Sequence, residues 1–141
     1  MKLVDANVLL YTANESDPHH EIARGWLDSA LSGSEPVGFA WIVLLAYLRL
    51  STKVGVFPLP ISVEEAIVDL RTWISEPTAV RVDATPRHLD VLAGLLVDTG
   101  TGGNLVSDAH LAALAIEHGA TVVTFDNDFG RFSGVRWQLP G

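Results

Sequence analysis

Asn104–Phe129, NLVSDAHLAALAIEHGATVVTFDNDF, decides how the rest of the chain is read. It spells loop, helix, turn, strand and acidic turn in succession. Ser107 fits the N-cap, because a hydroxyl there accepts a bond from an orphan amide of the first turn. Leu111, Leu114 and Ala115 recur at helical spacing, and Gly119 supplies a left-handed stop. Ala120 to Phe125 is a short β-branched run of the kind buried on both faces of a parallel sheet. Asp108 therefore opens a helix, while Asp126 and Asp128 follow the carboxyl end of a strand. The N-terminus repeats the arrangement, with Lys2-Leu3-Val4 as a strand, then Asp5, then Asn7. Parallel α/β sheets gather ligands in the crevice beyond the carboxyl ends of their strands. If these two strands are neighbours, Asp5, Asp108, Asp126 and Asp128 converge on one rim.

The flanking chain supports that architecture. Asp17-Pro18 reads as a helix opening, with Asp as cap and Pro in the first turn. The helix runs through Ile22, Ala23, Trp26, Leu27 and Ala30 to Gly33. Pro36–Ala40 reads as a second strand, and Trp41–Thr52, apolar nearly all round until Arg49, as a buried helix. Ser62 with Glu65 makes a capping box for a helix reaching Ile74. Val80–Val82 is a brief strand, Thr85-Pro86 opens another helix, and Gly134–Leu139 is a last edge strand. Strands alternating with helices predict a three-layer α/β/α sandwich with a mainly parallel sheet. No internal repeat or linker divides the sequence, so one domain over residues 1–141 is expected.

Composition narrows the function classes. The 141 residues carry a net charge of −8, and their nine lysines and arginines are scattered. The overall field therefore repels polyanions, and a nucleic-acid role needs local basic groups or bound cations. Hydrophobic residues make up 48% of the chain and mean hydropathy is +0.29, which fits a buried sheet and an additional apolar face for a partner. No apolar run reaches transmembrane length and no signal-like pattern opens the sequence, so no membrane role and a cytoplasmic location are expected. The absence of cysteine removes disulfide frameworks and thiolate metal sites.

Each carboxylate has an ordinary reading. Asp5 serves as a turn or cap residue, Asp108 favours the positive end of its helix, and Asp126-Asn127-Asp128 makes a turn. Together they weigh differently. Two carboxylates ~5 Å apart repel by roughly 3 kcal/mol at an effective dielectric near 20. Gathering them needs a cation, protonation or separation. Oxygen-only donors favour Mg²⁺ or Mn²⁺ over zinc, and such an ion supports water attack on a phosphodiester while reversing the local sign of the field. Other features carry less. His110, two residues from Asp108, reads as structural or peripheral; His19 and His20 read as solvated; His118 suits a last helical turn. The Thr99–Asn104 loop lacks the ending of a P-loop and reads as a mobile turn. The four tryptophans read as core or partner surface.

Asp5-Ala6-Asn7, Leu48-Arg49-Leu50, Ser107-Asp108-Ala109-His110-Leu111-Ala112 and Thr124-Phe125-Asp126-Asn127-Asp128-Phe129 stand in a specific order and spacing. In these motifs the chain resembles PIN-domain proteins over its whole length, and more narrowly the VapC toxins of bacterial type II toxin–antitoxin systems. The resemblance implies a Mg²⁺- or Mn²⁺-dependent ribonuclease that acts on RNA, forms a homodimer and is silenced by a cognate VapB antitoxin. Asp5 and Asp108 match the principal metal ligands. Asp126 matches the further acidic position, with Asp128 beside it as ligand or water-positioning group. Asn7 and Thr124 match positions that orient the carboxylates. The family usually has a glutamate three positions before the arginine of the apolar helix; here it is Ala46, which leaves one ion expected and a second in question. Arg49, on the face of Ala46, contacts substrate phosphate, pairs with the acidic cluster, or is a structural ion-pair partner.

Two other readings compete. An RNA- or antitoxin-binding module would keep the fold without catalysis, as the Ala46 departure suggests. A phosphatase with Asp5 as nucleophile would need a partner lysine and a DxD at that strand, which the sequence lacks. Which RNA is cut stays open among transfer, ribosomal and messenger RNA.

Overall fold

The computed structural model of the protein describes residues 1–55 and 57–141. Strands β1 (Lys2–Val4), β2 (Val37–Phe39), β3 (Ala79–Arg81), β4 (Thr121–Val123) and β5 (Arg136–Gln138) form a five-stranded sheet in the order β3-β2-β1-β4-β5. Every neighbouring pair is parallel. Helices α1 (Ala6–Ala13), α2 (His20–Leu31), α3 (Trp41–Ser51), α4 (Val63–Ile74), α5 (His88–Thr99) and α6 (Val106–His118) fill the crossovers, with 3₁₀ turns at Gly103–Leu105 and Asn127–Arg131.

The layers follow from handedness. The chain steps from β1 to β2 to β3 in one direction, then crosses back past β1 to β4. Right-handed crossovers place α1 to α4 on one face of the sheet and α5 with α6 on the other. The packing agrees: α1 lies against α2 and α3, α3 against α4, and α5 against α6. This is the expected three-layer α/β/α sandwich. The direction reverses between β1 and β4, so the ligand crevice of this topology opens there, at the carboxyl ends of those two strands.

Burial on both faces explains the apolar strands. Leu3, Val4, Val122 and Val123 are fully buried, and Ala109, Ala112, Ala113 and Ala115 let α6 sit close to the sheet. Gly38 in β2 is required by space. A Cβ there would stand 2.7 Å from Val82 Cγ2 and 3.1 Å from Leu3 Cδ1.

Several local expectations are corrected. The stretch after Asp5 forms α1, which the sequence reading does not mark. Helix α2 begins at His20, not at Pro18: residues 17–19 make a turn in which Asp17 accepts from the amides of His19 and His20. His20 is buried rather than solvated, with Nδ1 3.0 Å from the Tyr11 carbonyl. Helix α3 is buried on one face only; Val43, Leu44 and Tyr47 point inward while Trp41 and Leu45 are exposed. Ser107 does not cap α6. The preceding 3₁₀ turn runs straight into the helix, and its carbonyls at Gly102 and Gly103 take the amides of Leu105 and Val106. Ser62 caps α4 as expected, its Oγ accepting from the Glu65 amide at 3.1 Å, while among the described residues the return bond from the Glu65 side chain that would complete the box is not formed. Among the described residues, no helix is long and apolar enough to cross a membrane.

Candidate active site

Strand register sets the site. Val4 pairs with Val123, so the next residues, Asp5 and Thr124, stand side by side at the carboxyl edge of the sheet. The Asp5 amide continues the ladder to the Val123 carbonyl at 3.0 Å, and the Thr124 amide does the same to Gln138. Asp5 then leaves the strand and caps α1, its Oδ1 accepting from the Ala6 amide at 2.7 Å. A helix start so close to a strand end aims the carboxylate into the crevice.

Thr124 is fully buried, and its hydroxyl organises the rest. It donates to Asp5 Oδ2 at 2.8 Å and accepts from Asn7 Nδ2 at 3.0 Å and from the Asp126 amide at 2.9 Å. Asn7 is anchored in turn: its Oδ1 accepts from the Phe125 amide at 3.1 Å, and Nδ2 also reaches Asp5 Oδ2 at 3.4 Å. Both donors on Thr124 fix its single proton toward Asp5, which holds that carboxylate in one orientation. Asp126 caps the 3₁₀ turn, with Oδ1 accepting from the Asp128 amide at 2.8 Å. Asp128 is exposed and pairs with Arg131 at 3.2 Å.

Asp108 enters from the first turn of α6 and is half-buried. Its pKa is pushed up from 3.8 to about 6, by burial first and then by the charges of Asp5, Asp126 and Asp128; Arg131 opposes them. Asp5 is also raised, by burial and by Asp126, against the lowering bonds from Thr124 and Ala6. The four carboxylates thus share one electrostatic field although they come from three separate segments. Among the described residues, no three histidine or acidic side chains already stand at coordinating spacing around one point.

The remaining expected residues sort plainly. Ala46 is half-buried and Arg49 exposed on α3; among the described residues Arg49 makes no ion pair with the carboxylates. His110 does not join the site. It lies 2.8 Å from His88 Nε2, and His88 bonds the shielded Glu117 carboxylate, which also accepts from the amide and hydroxyl of Thr85. Burial and the neighbouring His88 both lower the pKa of His110. His118 bonds the Asp83 carbonyl at 2.7 Å. Arg131 is the group at the site that the sequence reading passes over; its spacing of three from Asp128 in a turn was the available signal.

The PIN domain family model matches residues 2–135. The chain is 58% identical to ribonuclease VapC37 of Mycobacterium tuberculosis, over 99% of this chain and 97% of that one. It is 36% identical to ribonuclease VapC33 of the same species, over 99% and 98%. Among solved structures, VapBC2 of Rickettsia felis bound to a promoter DNA fragment superposes with a TM-score of 0.73 at 19% identity, covering 99% of this chain and 98% of that one. VapC20 of M. tuberculosis, described as a toxin that cleaves the sarcin-ricin loop, superposes at 0.70 and 19% identity, covering 96% and 99%. The structures share the fold, and the two ribonucleases align with this chain along almost their whole length. This chain belongs to the PIN-domain family, on its VapC branch.

Proposed function

We propose that this chain is a divalent-metal-dependent endoribonuclease, the toxin of a VapBC-type pair, acting on RNA in the cytoplasm. The observation that carries the reading is the convergence of Asp5, Asp108, Asp126 and Asp128 on one rim, where their shared field adds to the burial that raises Asp108 to about 6. A hard cation is the natural relief for such a field. The donors are all carboxylate oxygens, and Mg²⁺ takes one or two carboxylates while water and phosphate oxygens fill its shell. A preformed trio of ligands is therefore not required. Asp5 and Asp108 would hold Mg²⁺, with Mn²⁺ as substitute, and Asp126 or Asp128 would assist. The bound ion would stabilise charge on the phosphorus and assist the attacking water. The bond from Thr124 opposes the rise that burial imposes on Asp5, since a bond donated to a carboxylate favours its charged form, and Asn7 helps to aim it. Arg131, within the field of Asp108, is a cation available to substrate phosphate, and exposed Arg49 on α3 would be a second.

Names of relatives support the partner reading. VapBC assemblies pair a toxin with its antitoxin, and a cognate VapB-type antitoxin is the expected partner here. Exposed Trp41 and Leu45, one turn apart on α3, offer apolar area for a second copy in a homodimer.

Purified, antitoxin-free protein incubated with cellular RNA and Mn²⁺ should give specific cuts that vanish with chelator and in Asp5→Ala and Asp108→Ala. Cleavage retained by either variant would remove that residue from the mechanism. A second reading, an RNA- or antitoxin-binding module without catalysis, draws on Ala46 and on the lack of a preassembled ligand trio. Metal-dependent cuts lost in Asp108→Ala exclude it.

A further inference from the structure

Beside the carboxylates lies a group of rings that the nuclease chemistry does not use. Tyr11 stands one helical turn beyond Asn7 on α1, and Phe125 lies between Thr124 and Asp126. Their rings meet edge to face, 5.1 Å between centroids and 74° between planes. His19, from the turn before α2, stacks on Tyr11 at 4.8 Å and 19°, and meets Phe125 at 4.8 Å and 64°. Asp17 Oδ1 accepts from the His19 amide at 2.8 Å and lies 3.0 Å from its Nδ1. The imidazole is thus fixed by neighbours from three separate segments. Its side chain nevertheless keeps 48% of its surface open. Tyr11 covers one face of the ring, which leaves the second face as the one on which a further ring could stack.

Resting on the nuclease reading above, we propose that His19, backed by Tyr11 and Phe125, is a stacking platform for a nucleobase of single-stranded RNA, on a nucleotide flanking the cleaved phosphodiester. Placement argues for it. Asn7 holds the Phe125 amide with one side-chain atom and the Asp5–Thr124 pair with the other, so the backbone that carries the Phe125 ring is tied to the Asp5 carboxylate through one side chain. Charge argues for it too. A chain of net charge −8 has little electrostatic attraction for a phosphate backbone. Stacking draws on the π-face that every base carries and needs no positive charge, and unpaired bases are the ones free to splay onto such a ring.

The test uses a fluorescein-labelled single-stranded RNA of about twelve nucleotides, within the span of single-strand sites, and the full chain carrying Asp108→Ala. Anisotropy titrations should show His19→Ala weakening binding about tenfold, in line with the stacking of one base. His19→Phe, which keeps a ring, should restore affinity, whereas His19→Asn, which keeps a polar turn residue, should not. An abasic nucleotide placed at each position in turn should weaken binding at one position in the His19 protein and not further in His19→Ala. With the catalytically intact chain, His19→Ala should raise KM about tenfold and leave kcat within about twofold. Unchanged affinity in His19→Ala, an abasic penalty that persists there, or no RNA binding at all would overturn the platform. His19-dependent binding by a chain that cuts no RNA would uphold the platform and remove the nuclease reading instead.

Discussion

At the scale of single residues, Thr124 has the largest local leverage. Its hydroxyl serves Asp5, Asn7 and Asp126 at once from a fully buried position. Thr124→Val keeps the shape and strands those partners, so we expect a loss of about 2–3 kcal/mol in urea denaturation together with slower cleavage. Asp108 behaves in the opposite sense. Its folded pKa of about 6 lies above the ordinary 3.8, so the native metal-free chain holds this proton at pH values where the unfolded chain has released it. Stability from this group therefore falls as pH rises from about 4 to about 6, and the deficit is complete above that window. Half exposure reduces it to ~1 kcal/mol. In chelator near pH 8, Asp108→Asn should raise the melting temperature by about 2–4 °C, and near pH 4 it should change little. Thermal melts at both pH values decide it. The carboxylates were legible in sequence because each follows a strand or opens a helix, positions where topology gathers ligands. The rings of Tyr11, His19 and Phe125 were not, because stacking is a tertiary relation between residues whose own neighbours look ordinary.

At the scale of elements, Gly38 and Tyr47 show where packing is tight. Gly38→Ala forces a methyl against a branched side chain and the sheet core, 2.7 Å from Val82 Cγ2. Chemical denaturation should show a loss of roughly 1–3 kcal/mol. Tyr47 OH donates to Asp69 Oδ2 at 2.6 Å and joins α3 to α4, while its ring meets Trp73 edge to face. Tyr47→Phe should cost about 1–2 kcal/mol, read the same way, without altering the cleavage pattern. Helix α4 was legible down to its cap because the Ser62 side chain satisfies a local amide, that of Glu65. Helix α1 was not marked: it is only eight residues long, and its cap, Asp5, also belongs to the carboxylate set, so one residue carried two signals. The start of α6 was misread for a related reason. Its amides are satisfied by the turn before it, a backbone solution that leaves no side-chain trace.

At the scale of the whole molecule, the reversal of direction between β1 and β4 makes distant segments into one rim, whose gathered carboxylates repel one another within a chain of net charge −8. Binding of the proposed ion would then be linked to folding. Saturating Mg²⁺ at about a hundred times its dissociation constant should stabilise the wild type by about 2.7 kcal/mol, with no comparable gain in Asp108→Ala. Calorimetry with and without chelator measures this. Layer order and sheet direction were legible from alternation of strands and helices; the inward and outward faces of α3 were not, since its sequence is apolar on nearly every side. Asp5 closes a strand, caps a helix and accepts the hydroxyl of Thr124, so it is a hinge pin of the fold as well as a member of the proposed metal site. Asp108 lacks those duties. In a culture selected for survival while this chain is expressed without its antitoxin, full-length inactive escape variants at position 108 should accumulate at undiminished levels, whereas those at position 5, folded but less stable, should stand at lower steady-state levels, a contrast that immunoblots of the survivors would reveal.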